Sequence, residues 1–316
     1  MEIQAFWRAM IPSLSRAISM PSPSSAPSIG RPVLLLLGSG AAFGSVYALA
    51  KPVLAAGISP LLLILLQALG GGAIILALAI ARGRAPRLSP LFLRYYAIGG
   101  SLGFAVPNAL LYAVIPHVGV GIGATITSLS PLFTWGMARL IGMEPHSARR
   151  ALGLATGFAG AALLAARGGL AGGIDLWFLL GLLVPAMLAF GNIYRTVAWP
   201  RGEPPLPLAA GMLLAGGLAA APVALLAGAL TPDPAALTGA APLIAAQVAL
   251  YAAGYVLLYE VQRIAGPVFL SQLGYVIPPV GLLWGIGAFG EVLSLLSWAG
   301  LGLIAAGLVL VNMRRR

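Results

Sequence analysis

The sequence predicts an all-α integral membrane protein whose ten transmembrane helices form two inverted five-helix repeats. Three observations carry this reading. The 316 residues are 60% hydrophobic and only 8% charged, with a mean hydropathy of +0.99. A water-soluble domain cannot hide that much apolar surface, so lipid is the expected solvent. Next, the chain repeats itself once, without a gap, at an offset of 147 residues. Phe43-Gly44-Ser45-Val46-Tyr47 returns as Phe190-Gly191-Asn192-Ile193-Tyr194, and Leu110-Leu111-Tyr112 as Leu257-Leu258-Tyr259. Pro131, Glu144 and Gly153 fall on Pro278, Glu291 and Gly300. Finally, a ten-segment reading distributes the basic residues 16 to 2 between the two faces of the membrane.

The elements follow in order. Residues 1–31 hold three arginines and the run Pro21-Ser22-Pro23-Ser24-Ser25-Ala26-Pro27, which cannot pack and reads as a disordered cytoplasmic tail. The first repeat, 32–167, contains apolar segments at 32–50, 59–81, 93–115, 119–141 and 151–166. The second, 174–313, contains segments at 176–198, 206–229, 243–261, 268–289 and 295–313. Each is close to the roughly 20 residues that cross a bilayer as helix. Residues 95–138 lack Arg, Lys, Asp and Glu, so the break there rests on Pro116-His117-Val118-Gly119. Pro60, Pro90 and Pro207 stand where a helix can begin without losing a needed donor. Small residues Gly153, Gly157 and Gly160 in the fifth segment, and Gly300, Gly302 and Gly307 in the tenth, are expected to let these two helices meet closely.

With both termini cytoplasmic, only Lys51 and Arg167 lie outside, and Arg195 counts among the cytoplasmic loop cations. The net charge of +11 is thereby explained by orientation and needs no nucleic-acid partner. The chain has no cysteine, and its two histidines, His117 and His146, have no carboxylate cluster beside them; no metal site and no cofactor are expected. Arginine outnumbers lysine 17 to 1 amid abundant Ala and Gly, which favours a bacterial inner membrane as the location.

Two patterns resemble a known family. Phe43-Gly44-Ser45, with Lys51 seven residues after the glycine, resembles the W-G-S…K opening of EamA-type transporters of the drug/metabolite transporter superfamily. Pro131, then Gly142-Met143-Glu144 and Gly153, resembles that family's P…GE…G signature, which recurs as Pro278, Phe289-Gly290-Glu291 and Gly300. The resemblance covers residues 33–313. It implies a ten-helix permease with an internal five-plus-five repeat and no enzymatic activity. The chain departs from the pattern at Phe43 (for Trp), at Gln67 (for Arg) and at Ala198 (for a second Lys).

Polar side chains inside apolar segments are the candidate substrate-binding residues, because hydrocarbon penalises them unless they face water or protein. Gln247, Tyr251, Tyr255 and Tyr259 recur every four residues. Four residues turn a helix by about 400°, so the stripe stays on one face. Its repeat mates, Gly100, Phe104, Asn108 and Tyr112, mark a second wall. Tyr47, Gln67, Asn192, Tyr194 and Gln272 are the remaining candidates; interhelical hydrogen bonding is the competing account of each. Glu260 is the coupling candidate, against an ordinary pair with Arg263 three residues on. Glu144 and Glu291 read as caps of the fifth and tenth helices.

Inverted duplication is the architecture of secondary transporters, whose halves rock about a central site. The residues therefore point to alternating-access transport of a small amphipathic metabolite such as an amino acid, as exporter or exchanger, and not to an enzyme. A cavity of Tyr, Asn and Gln without fixed midplane charge suits neutral or zwitterionic solutes. A membrane-embedded lipid-modifying enzyme and a passive channel or scramblase are the alternatives. The partners are the bilayer and the solute; a monomer suffices, and a homodimer is compatible with the sequence. A reporter active only in the cytoplasm, fused after Arg316, is expected to be active, and a periplasmic reporter at the same point silent.

Overall fold

The computed structural model describes residues 30–118, 126–145, 147–166, 176–289 and 295–312, so the 1–31 tail lies almost wholly outside the described residues. Among these, helix is the regular secondary structure throughout. The first repeat comprises α1 (Gly30–Ala55), α2 (Pro60–Ala81), α3 (Pro90–Gly100), α4 (Val106–Val118), α5 (Ser130–Leu140) and α6 (Ala148–Ala166). A π-helical turn, Ser101–Ala105, joins α3 to α4. The second comprises α7 (Leu176–Gly181), α8 (Leu183–Val197), α9 (Pro205–Leu226), α10 (Pro234–Ser271), α11 (Leu273–Phe289) and α12 (Leu295–Asn312). Spans 30–55, 60–81, 176–197, 205–226 and 234–271 are each long and apolar enough to cross a membrane. The first part of the fourth expected segment, 119–125, lies outside the described residues.

Local chemistry sets the ends. Pro60 and Pro90 are first helical residues behind Ser59 and Ser89, as expected. The next such start is at Pro205, two residues before the expected Pro207. Helix α10 begins at Pro234, nine residues before the predicted start at 243, because the Asp233 carboxylate accepts the Ala235 N–H at 3.2 Å and caps it. The predicted break after 261 is the single residue Gly266, at φ 77° and ψ −177°, followed by Pro267. Glycine accepts that conformation without steric cost, and the proline has no N–H to leave orphaned in the turn that follows. The π turn has a similar cause: Pro107 cannot donate to the Gly103 carbonyl, and the Val106 N–H reaches back five residues to Ser101. The cap expected of Glu144 is supplied instead by Ser147, whose Oγ accepts the Arg150 N–H at 3.3 Å. Glu144 forms an ion pair with Arg150; burial raises its carboxyl pKa, against the pull of that guanidinium.

Packing follows the repeat. In the first half α1 lies on α10 and α11; in the second, α8 lies on α3, the π turn and α5. The pairs α2 with α9, and α6 with α12, are each a helix against its own repeat mate. These pairs run antiparallel: Gly72 meets Leu214 while Gly217 meets Leu69, and Gly153 meets Val311 while Gly160 meets Gly300 and Ile304. Antiparallel packing of repeat mates is what an inverted duplication requires.

Glycine makes the α6–α12 contact possible. A Cβ on Gly307 would stand 2.6 Å from the Gly153 carbonyl oxygen, and one on Gly160 2.6 Å from the Gly300 carbonyl oxygen. Gly157 holds the face of the Tyr275 ring, whose hydroxyl donates to the Leu154 carbonyl at 2.7 Å. Gly302 does not belong to this set: a Cβ there meets nothing within 4 Å. Gly307→Ala is therefore expected to cost about 1–3 kcal/mol by overpacking against backbone, and Gly302→Ala to be neutral. Thermal unfolding of the two purified variants in one detergent checks the contrast.

Candidate functional site

The stripe on α10 divides into three environments. At its first position, Gln247 is fully buried and its Oε1 accepts the Gln67 Nε2–H at 2.7 Å, while its own amide reaches the Leu49 carbonyl at 3.3 Å. Gln67 and Gln247 thus form an interhelical latch between α2 and α10. Bonds of this kind are worth roughly 0.6 kcal/mol, rarely above about 1.7.

Tyr251 and Tyr255 come next. Both rings meet Phe43 of α1 edge-on, with centroids 5.5 and 5.4 Å away, and both meet Phe104 of the π turn at 6.3 and 6.5 Å. Tyr255 is buried and Tyr251 only partly so. Asn108, one turn beyond Phe104, is half-buried and donates back to the Phe104 carbonyl at 2.7 Å. Tyr47 lies one turn beyond Phe43 on the same face of α1, so it points the same way, and it falls within electrostatic range of Tyr255. Yet Tyr47 is 61% exposed. Most of the Tyr47 ring is therefore uncovered by protein although it stands beside this aromatic cluster. Trp284 of α11, 38% exposed, donates its indole N–H to Ser45 Oγ at 2.8 Å on the neighbouring turn.

Towards the opposite end, where Arg82 to Arg94, Arg201 and Arg263 lie, the interior closes. Tyr259 is fully buried and stands 5.6 Å from the Trp199 ring. Its hydroxyl lies near that of Tyr95, yet it makes no hydrogen bond of ordinary geometry among the described residues. Beside it is a group that the charge pattern assigned to a loop. Arg195 is not a loop cation: it lies within α8 and is 4% exposed. Its Nε donates to Gln262 Oε1 at 3.0 Å, and its Nη2 donates to Asn192 Oδ1. Gln262 Nε2 donates in turn to Thr196 Oγ1 at 2.7 Å and to the Asn192 carbonyl. Asn192 Nδ2 reaches Thr134 Oγ1 of α5 at 3.4 Å, and Tyr95 donates to the Arg195 carbonyl at 3.4 Å. A charge counted among the loop cations is thus buried in the last turn of α8, at the basic end of the bundle.

The other candidates are dispersed. Tyr194 donates to the Arg94 carbonyl at 3.4 Å and stacks on Tyr95, at the basic end and away from its repeat mate Tyr47. Gln272 is buried at the junction of α10 and α11. Glu260 pairs with Arg263 at 2.7 Å on the surface. Tyr112 lies on α4, but its side chain is outside the described residues, as is Glu291. Gln262, Thr134 and Tyr95 join the network although the sequence did not single them out. The signal for a buried Arg195 was present, because the predicted segment 176–198 already enclosed it.

The fold and these environments agree with the comparisons. The model of the EamA-like transporter family matches residues 30–166 and again 175–313. The chain belongs to the EamA-like transporter family. It is 30% identical over 263 residues to the "Uncharacterized inner membrane transporter YedA" of Escherichia coli strain K12, covering 80% of this chain and 82% of that one. The same identity and coverage hold for YedA from strain O157:H7. A crystal structure 20% identical in sequence superposes with a TM-score of 0.67 over 89% of this chain and 96% of its own, which shows the shared fold. As an EamA-like protein, the chain is a membrane transporter with two related halves.

The environments sort the stripe by experiment. Tyr255→Ala removes a ring held by three aromatic neighbours and should cost about 3–5 kcal/mol of stability, whereas Tyr255→Phe should stay within about 1 kcal/mol. Asn108→Ala, whose amide donates to the Phe104 carbonyl one turn back in the adjoining π turn, should change the unfolding temperature little. Parallel thermal unfolding of the three variants tests the assignment.

Proposed function

We propose that this EamA-like protein carries a small amphipathic metabolite such as an amino acid across the bacterial inner membrane by alternating access, as an exporter or exchanger with both termini cytoplasmic. The observation that carries the reading is the exposed Tyr47, within electrostatic range of Tyr255, with Tyr251 and Asn108 half-buried along the same aromatic cluster. These side chains come from α1, α4 and α10, and so from both repeats, which is where alternating access puts a ligand. Tyrosine rings flank the apolar part of a solute, and the Asn108 amide and tyrosine hydroxyls serve its polar part. Full burial of Tyr259 and Arg195 at the basic end, with Tyr47 exposed toward the other, fits one of the two states such a cycle needs. The inner-membrane location draws support from the name of the YedA relative. The surface pair Glu260–Arg263 makes proton coupling through Glu260 the less economical account.

Proteoliposomes loaded with unlabelled amino acids and diluted into labelled ones should show saturable uptake and counterflow. Tyr251→Ala should weaken apparent affinity by about 1–2 kcal/mol, the value of a good aromatic contact, with the fold intact. Linear, non-saturating flux without counterflow would instead identify a pore.

A further inference from the structure

We propose that Arg195 is the anion-recognising group of this transporter and receives the carboxylate of its solute, with the Tyr259 hydroxyl beside it. The inference rests on the transport reading above and narrows its solute to one bearing a carboxylate.

Arg195 is a cation taken out of water, and a buried charge is expensive unless it is paired. Its protein partners are neutral: the amide oxygens of Gln262 and Asn192. The chain has seven acidic residues, of which Glu144, Glu203, Asp233 and Glu260 are described. Each is committed elsewhere: Glu144 to Arg150, Glu203 to Arg87, Glu260 to Arg263, and Asp233 to the cap of α10. None of these four therefore neutralises Arg195.

The surroundings of the guanidinium are built for close approach. Its Nη1 lies in the seam between the π turn and α8, where a Cβ on Gly103 would stand 2.9 Å from it and one on Gly191 3.7 Å. Asn192 and Gln262 take Nη2 and Nε, so Nη1 has no acceptor among the described residues, and the two glycines put no side chain against it. Arg195 is within electrostatic range of both Tyr255 and Tyr259, and the buried Tyr259 hydroxyl makes no ordinary hydrogen bond among the described residues. A forked guanidinium and a buried hydroxyl, here that of Tyr259 beside Tyr95, are the donors that recognise a planar carboxylate. The stripe from Tyr251 through Tyr255 to Tyr259 leads to them from the end of the bundle where Tyr47 is exposed.

The repeat supplies an independent argument. Framework residues occur in both halves, as Pro131 with Pro278 and Gly153 with Gly300 show. The mates of Asn192, Arg195 and Gln262 are Ser45, Ala48 and Ile115. These three residues therefore have no counterparts in the first half.

The test uses the full-length protein in nanodiscs with three probe sets: L-leucine and L-phenylalanine, their primary amides, and the corresponding decarboxylated amines. Wild type should bind the acids at least about tenfold more tightly than amides or amines, as expected for a charge-assisted pair. Arg195→Gln should bind acids no better than amides. Equal affinity of wild type for acids and amides, or an undiminished acid preference in Arg195→Gln, would overturn the proposal while leaving the transport reading intact. If Arg195→Gln does not fold, Arg195→Lys decides: the preference should shrink without vanishing, since the charge remains and the fork is lost, and an unchanged preference counts against the proposal. If no amino acid binds, the amino-acid reading fails by itself. Acetate, benzoate and inorganic phosphate then decide: saturable binding that requires Arg195 supports an anion site, and its absence refutes one.

Discussion

Lipid tails are as apolar as leucine, so no hydrophobic force draws these helices together once they are in the membrane. What remains is contact itself, and this bundle obtains it by bringing backbone against backbone at glycine. Gly153 and Gly160 on α6 meet Gly307 and Gly300 on α12, Gly100 meets Gly216 between α3 and α9, and Gly103 meets Gly191 between the π turn and α8. The last of these contacts also fixes the chemistry. Because Gly103 and Gly191 carry no side chain, α8 approaches the π turn closely enough to bury Arg195 between them. Architecture and the one described charge inside the bundle thus depend on the same small residues.

The repeat explains why so much of this was legible in the sequence. A gapless offset of 147 residues and the helix-starting Pro60 and Pro90 are one-dimensional signals, and the segments they delimit agree with the helices observed. The four-residue spacing fixes direction and nothing more: Gln247, Tyr251, Tyr255 and Tyr259 share a face but meet different neighbours. Those neighbours lie far off in sequence. The Gln67–Gln247 bond spans 180 positions and the Arg195–Gln262 bond 67, and no local pattern announces either. The full length of α10 is hidden because its first turns are less apolar than its centre. Hydropathy therefore starts the segment late, while the Asp233 cap starts the helix early.

Symmetry in packing coexists with asymmetry in polar chemistry. The contacts of α1 with α10 and α11 are repeated by α8 with α3 and α5, yet the polar groups along them differ. On α1 the position matching Asn192 is Ser45, bonded to Trp284; on α8 Asn192 joins Arg195, Gln262 and Thr134. Two conformations exchanged by the pseudo-twofold axis would be equal in energy only if these groups were equivalent. Because they are not, the alternating-access cycle proposed above would run between end states of unequal energy.

The nature of the partners sets how large that inequality can be. Arg195 ties α8 to α10 through Gln262, and Asn192 ties α8 to α5 through Thr134, so separating these helices at the basic end must break this network. Had a carboxylate stood in place of either amide, removing one partner of the buried pair would cost on the order of 3–5 kcal/mol and hold the end shut. Hydrogen bonds from a cation to neutral amides are each worth about 1.5–3 kcal/mol and can be exchanged for water or for a stronger acceptor. A closure made of amides around a guanidinium is therefore strong enough to define a state and weak enough to leave it, the condition that any alternating-access cycle places on its gates.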